Sequence, residues 1–219
     1  MKKLIGMLLV SMGAVLLFIS CAGVISLRNP KMTGGIIEEK KPQAKKPPVL
    51  FDDFETGAII GGYGFANTAG AASVKYVISD QDPHGGKYCG HAIYDTGTNS
   101  DWGCGFAGST PYGGGYIDAS GRSSIDFWVK CPEGLGFIVM LAEASANGAD
   151  GEHWRSPGQT GTGKWTEYTI DFEDFAKDIY SGNQNGNNIL DTAGLATVGF
   201  QLDGASGKGD FFVDDIWFK

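Results

Sequence analysis

Beyond residue 20 the sequence has no long apolar run, almost no helical periodicity, three histidines and four cysteines. Each scarcity closes a class of chemistry. His84, His91 and His153 match no metal-binding spacing, and no Cys-x-x-Cys or Cys/His cluster is present, which argues against a zinc site. A Gly-x-Ser-x-Gly elbow is absent, and the scattered histidines supply no evident base for a nucleophile, so support for catalysis is thin. Positive charge is scarce past residue 48: nine Lys/Arg stand against 23 Asp/Glu, a net of −14. The first 48 residues carry eight Lys/Arg against Glu38 and Glu39, a net of +6, and the whole chain is −8. A domain that acidic repels nucleic acid and suits neutral ligands or cations.

The sequence opens Met1-Lys2-Lys3 and continues as an uncharged run from Leu4 to Ser20, the pattern of an export signal. The run is also long enough to stay in a bilayer as a helix. Cys21 favours processing: Leu17-Phe18-Ile19-Ser20-Cys21 resembles the lipobox of bacterial lipoproteins, with Phe18 where that family prefers Leu. The resemblance implies a signal segment at 1–21 cleaved ahead of Cys21, lipidation of Cys21 as the new N-terminus, and an extracytoplasmic domain held at a membrane, periplasmic or at the cell surface. Residues 22–48, ending Lys45-Lys46-Pro47-Pro48, read as an extended tether whose basic residues can approach anionic headgroups. With Cys21 lipidated, Cys89, Cys104 and Cys131 remain, leaving open one disulfide plus a thiol or three quiet thiols.

Residues 49–219 form one domain. Short apolar runs broken by Gly, Asn, Asp, Ser and Pro predict an all-β domain, a sandwich or a barrel. Strands are expected at 49–54, 73–78, 88–94, 103–107, 124–130, 137–143, 165–172, 195–202 and 211–218, with one short helical turn at 174–180. Alternation is clearest where Ile125, Phe127 and Val129 share one face and Asp126, Trp128 and Lys130 the other.

Several landmarks then fall in a recognisable order. They are Leu50-Phe51-Asp52-Asp53-Phe54-Glu55, Ser124-Ile125-Asp126-Phe127-Trp128-Val129-Lys130, Glu152-His153-Trp154-Arg155-Ser156-Pro157, Trp165 to Phe172, and Phe211-Phe212-Val213-Asp214-Asp215-Ile216-Trp217-Phe218. The series resembles the galactose-binding-like jelly rolls, especially family 11 and related carbohydrate-binding modules, over the whole domain. Relatives of a mitochondrial complex I assembly factor share these landmarks without an established sugar role.

The resemblance implies an all-β, two-sheet antiparallel β-sandwich and non-catalytic binding of a polysaccharide, such as a β-glucan. It also implies a structural calcium between the first and last strands, with Asp53, Glu55, Asp214 and Asp215 as oxygen donors. Sugar binding needs aromatic faces beside hydrogen-bonding groups. Trp154 and Arg155, in a polar segment, together with Tyr63, Tyr112, Tyr116 and Trp102, are the candidates, while Trp128, Gln201 and Asp203 are expected on the open side of the inner sheet. Trp165 and Trp217 read as core. Two other functions stand beside this one: an envelope assembly protein binding a protein partner, and a divergent glycosidase. For the latter, Glu143 and Glu167 lie on strands, but the Glu-x-Asp-x-x-Glu signature of laminarinase-like jelly rolls is missing.

Overall fold

A computed structural model describes residues 46–59, 61–110, 115–146 and 148–219. Cys21, the tether up to Lys45, and Tyr112 lie outside these residues. The described chain is an antiparallel two-sheet sandwich. One sheet contains β1 (Val49–Asp52), β3 (Ser73–Ser79), β4 (Cys89–Asp95), β6 (Ser124–Lys130), β10 (Thr166–Asp171) and β13 (Lys208–Phe218). The other contains β2 (Tyr63–Ala66), β5 (Trp102–Ser109), β7 (Gly136–Glu143), β8 (Glu152–Arg155), β9 (Gln159–Thr160), β11 (Ala176–Gly182) and β12 (Leu195–Asp203).

In the first sheet the order is β10-β6-β13-β4-β3. The long β13 has β6 along one edge; on the other it pairs with β4 through residues 208–213 and with β1 through 216–218. In the second sheet the order is β11-β8-β7-β12-β5-β2. The inward residues of both sheets meet in a core dominated by rings. Phe106 stacks with Phe200 at 5.4 Å between centroids, and Phe137 meets Phe211 edge-on at 5.2 Å. All four are about fully buried, and it is this period-2 burial that fixes the register of each strand.

Three short strands, β2, β8 and β9, arise where the sequence shows no strand-length run. The helical turn expected at 174–180 is instead a 3₁₀ turn at Phe172–Asp174 followed by β11. Cys89, Cys104 and Cys131 are free and buried. Burial pushes their thiols up to about 12, 11 and 12 respectively, so they stay protonated and unreactive at neutral pH. Among the described residues no helix is long and apolar enough to cross a membrane.

Candidate functional site

The solvent face of the second sheet carries a cleft of about 630 Å³, within the range of about 300–1,000 Å³ usual for ligand sites. Its make-up follows from the pairing register, because directly opposed residues share a face. One row across the sheet runs Tyr63, Ala107, Gly199, Met140, Arg155. The next runs Phe65, Gly105, Gln201, Ile138. Aromatic residues therefore occupy the β2 end, residues with little or no side chain the centre, and Arg155 the far end. Four strand spacings put Tyr63 and Arg155 about 19 Å apart.

Each end is built differently. At the first, Phe65 lies 6.2 Å from the Tyr63 ring and 6.3 Å from the Trp102 ring, giving a continuous aromatic wall. At the second, β11 leaves the ladder: Lys177 pairs with Trp154, and the next pairing is Gly182 with Glu152. The extra residues form a bulge that carries Tyr180 out to 80% exposure. Buried Asp178 pins this bulge by accepting hydrogen bonds from the Tyr180 amide and the Ser181 hydroxyl. Ser181 Oγ in turn lies 3.0 Å from His153 Nδ1, and burial holds the His153 imidazole below its usual range. Arg155 lies over the Tyr180 ring at 5.9 Å, with one guanidinium nitrogen 4.0 Å from Asp178. Among the described residues its guanidinium makes no hydrogen bond to the protein, and it lines the cleft with Asp101 and Gln201.

Several expectations are redistributed by this geometry. Tyr63, Trp102, Arg155 and Gln201 come together on this face. Trp154 does not. In β8 the pleat turns Glu152 and Trp154 inward and His153 and Arg155 outward, so Trp154 is buried at 6% exposure and donates its indole N–H to Glu143 Oε1 at 2.7 Å. Polar neighbours in sequence misled here because alternate residues face opposite ways. Trp128 is on β6 of the other sheet, facing away from the cleft, and Trp165 and Trp217 are half-buried on that same outer face rather than core. Asp203 is exposed at the end of β12, outside the lining, and Tyr116 flanks the Ile117–Leu195 bridge where β12 begins. The lining residues that sequence reasoning missed are Phe65, Asp101, Met140, Asp178, Tyr180 and Ser181. The Tyr63-Gly64-Phe65 alternation was the available signal for Phe65.

Three of the four acids expected to hold calcium accept hydrogen bonds from backbone amides. Asp214 Oδ2 accepts from the His84 and Gly85 amides, Glu55 Oε1 from those of Lys87 and Tyr88, and Asp53 Oδ1 from that of Glu55. Asp215 pairs with His84 Nδ1 at 2.9 Å. The amides hold the Glu55 carboxyl below its usual range, whereas burial pushes Asp214 up to about 6.

Three carboxylates do converge elsewhere: Glu143, Asp150 and Asp191 bring oxygens within 4.8 Å of one another. Glu143 is buried and its carboxyl raised by desolvation, although the Asp191 amide and Trp154 donate to it. Asp150 Oδ1 is buried with no protein partner. That set of hard oxygens, one of them orphaned, fits a divalent cation. The segment it ties down, 183–191, follows directly from the bulge that carries Tyr180: the Asn187 amide donates to Asp150 and its side chain to Asp191.

Comparison with known proteins now separates the possible uses of such a cleft. A family model described as carbohydrate binding domain (family 11) matches residues 39–218. The chain belongs to this carbohydrate-binding family. It is accordingly a non-catalytic binding domain, and the glycosidase reading falls away. No curated protein sequence matches the chain.

Among solved structures, a family 11 module of Clostridium thermocellum in complex with a β-1,3-1,4-mixed-linked tetrasaccharide is 21% identical with TM-score 0.58. The family 11 module of the cellulase Lic26A-Cel5E from the same organism is 22% identical with TM-score 0.59. Both alignments cover 78% of this chain and 94% of the other. A family 30 module of C. thermocellum cellulase Cel9D-Cel44B shares the fold at 12% identity and TM-score 0.53, covering 80% and 98%.

Proposed function

We propose that this family 11 domain binds a neutral polysaccharide, a β-glucan or close relative, along the cleft of its second sheet. The observation that carries the reading is the row from Tyr63 through Ala107, Gly199 and Met140 to Arg155. It is aromatic at one end and hydrogen-bonding at the other, and between them only Met140 carries a long side chain. Pyranose C–H faces would stack on Trp102, Phe65 and Tyr180, with Arg155, Gln201 and Asp101 reading hydroxyls. The mixed-linked tetrasaccharide of the C. thermocellum complex indicates the class to try first.

The test is affinity electrophoresis against a polysaccharide panel that includes mixed-linked β-glucan, followed by calorimetry on Trp102→Ala and Tyr180→Ala. Each substitution should weaken binding about tenfold or more, which is ~1.4 kcal/mol per factor of ten. Wild type binding no glycan would instead favour the envelope-assembly reading, with a protein partner on the same face.

Two further features belong to this reading. Glu143, Asp150 and Asp191 would hold a calcium ion that fixes the 183–191 segment beside the cleft; the support is the buried, unpartnered oxygen of Asp150. Cys21, following an uncharged run behind Met1-Lys2-Lys3, would carry lipid and hold the domain outside the cytoplasm. An acylated mature protein beginning at Cys21 supports that anchor, and a mature chain beginning anywhere else overturns it.

A further inference from the structure

We propose that the opposite face of the sandwich, on the β6–β13 sheet, carries a second site for a neutral pyranose, with Trp217 as its platform. It shares only the ligand class with the cleft reading, not the location. A water-facing strand surface ordinarily alternates to polar residues. Here the pleat instead turns Trp128, Phe212 and Trp217 outward. Trp128 is already occupied, since His84 stacks on it at 3.8 Å and 14° while bonding to Asp215. Trp165 and Phe212 are 6.4 Å apart, and His91 stacks on Phe212. Trp217 makes no ring contact among the described residues.

Trp217 borders a cavity of about 390 Å³ together with Trp128, Asp126, Glu167, Asp215 and Lys219. Asp126 is its cross-strand neighbour on β6. The charges on the rim are paired: Lys219 Nζ lies 2.7 Å from Asp126 and 3.5 Å from Glu167, and His84 takes Asp215. A cationic ligand would have to displace Lys219, and an anionic one would meet three carboxylates at short range. A neutral ring with one apolar face and peripheral hydroxyls meets an indole below it, with fixed donors and acceptors at its edge. Because the two sheets face opposite ways, a domain with both sites would bridge separate glycan chains, and its avidity on a polymer would exceed its affinity for one oligosaccharide.

The five tryptophans allow the sites to be read separately. Indole N–H signals of ¹⁵N-labelled protein, assigned through single Trp→Phe variants, would be followed while mixed-linked β-1,3-1,4-glucan tetrasaccharide and then cellohexaose are added to about 10 mM, enough to populate a millimolar site. Trp102 reports the cleft, Trp128 and Trp217 the second site, and buried Trp154 serves as reference. The expected result is saturable movement of Trp128 and Trp217, with Trp217→Ala abolishing the Trp128 shift and leaving that of Trp102. Movement of Trp102 alone would overturn the second site and leave the cleft standing. Movement of Trp128 and Trp217 alone would sustain the second site and remove the cleft, and stationary signals throughout would overturn both.

Discussion

Trp154→Ala tests whether this indole belongs to the core or to the ligand, because the two roles predict opposite outcomes. The side chain is 94% buried and its N–H is 2.7 Å from a buried carboxylate oxygen of Glu143. Deleting a buried aromatic costs about 3–5 kcal/mol. Losing a hydrogen bond to a charged group adds about 1.5–3 kcal/mol. The sum approaches or exceeds half of the 5–15 kcal/mol that holds a typical domain together, so Trp154→Ala should unfold at far lower urea or fail to accumulate. Trp154→Phe separates the contributions. It keeps most of the ring and leaves Glu143 the amides of Asp191 and Glu152, so a loss of about 1.5–3 kcal/mol is expected from the missing donor. Urea unfolding followed by far-ultraviolet circular dichroism measures both. Glycan affinity of Trp154→Phe should match wild type, since His153 and Arg155, not Trp154, face the cleft. A Trp154→Ala protein as stable as wild type but defective in glycan binding would refute the placement.

Two other outcomes follow from charge. Burial pushes Asp52 up to about 6, so the folded state takes up a proton before the unfolded chain does, and the cost of its ionisation is absent near pH 4 and complete above about pH 6. Asp52→Asn keeps an acceptor for the Phe54 amide, and its melting temperature relative to wild type should rise as pH goes from 4 to 7; a pH-independent difference would refute this. Calcium should raise the melting temperature of wild type in step with RT ln(1 + [Ca²⁺]/Kd) and chelator should lower it. Asp150→Asn should blunt that response and Asp53→Asn should not, so a response lost in Asp53→Asn but kept in Asp150→Asn would return the ion to the first strand.

The sandwich was legible because its core strands are long and alternate cleanly, as in Ile125, Phe127 and Val129 or Val198, Phe200 and Leu202. The cleft was legible only in part, because its edges rest on β2, β8 and β11, whose apolar signal is too short to set a face. On β8 one residue of slip decides everything: with Trp154 inward, Arg155 is outward. Ahead of β11 the acidic pair Glu173-Asp174 reads as a turn, and nothing in the sequence announces that Asp178 accepts from the Tyr180 amide. The expected position of the calcium rested on acids close in sequence at the two terminal strands. There Glu55 and Asp214 accept from backbone amides of the 84–88 segment, whereas the carboxylates whose oxygens converge, Glu143, Asp150 and Asp191, come from separate segments that no sequence pattern links.

The glycines show how composition can be read for the wrong role. Their abundance, 35 of 219 residues, suggests loops, and many do sit at positive φ where turns need them, Gly182 at +75° beside the β11 bulge among them. Gly105 and Gly199 are different, for they lie within central strands where glycine ordinarily weakens a sheet. A Cβ on Gly105 would come within 2.3 Å of the Phe65 ring and 2.5 Å of the Phe200 carbonyl oxygen, and one on Gly199 within 3.0 Å of the Ala107 methyl. The Phe65 ring therefore occupies space that only glycine leaves open, which tilts it across β5 toward Gln201 and makes it a wall of the cleft. Side chains at these two positions would fill the middle of both rows and leave Arg155 and the aromatic wall separated by a ridge. The low centre is thus a condition for one extended ligand to touch both ends.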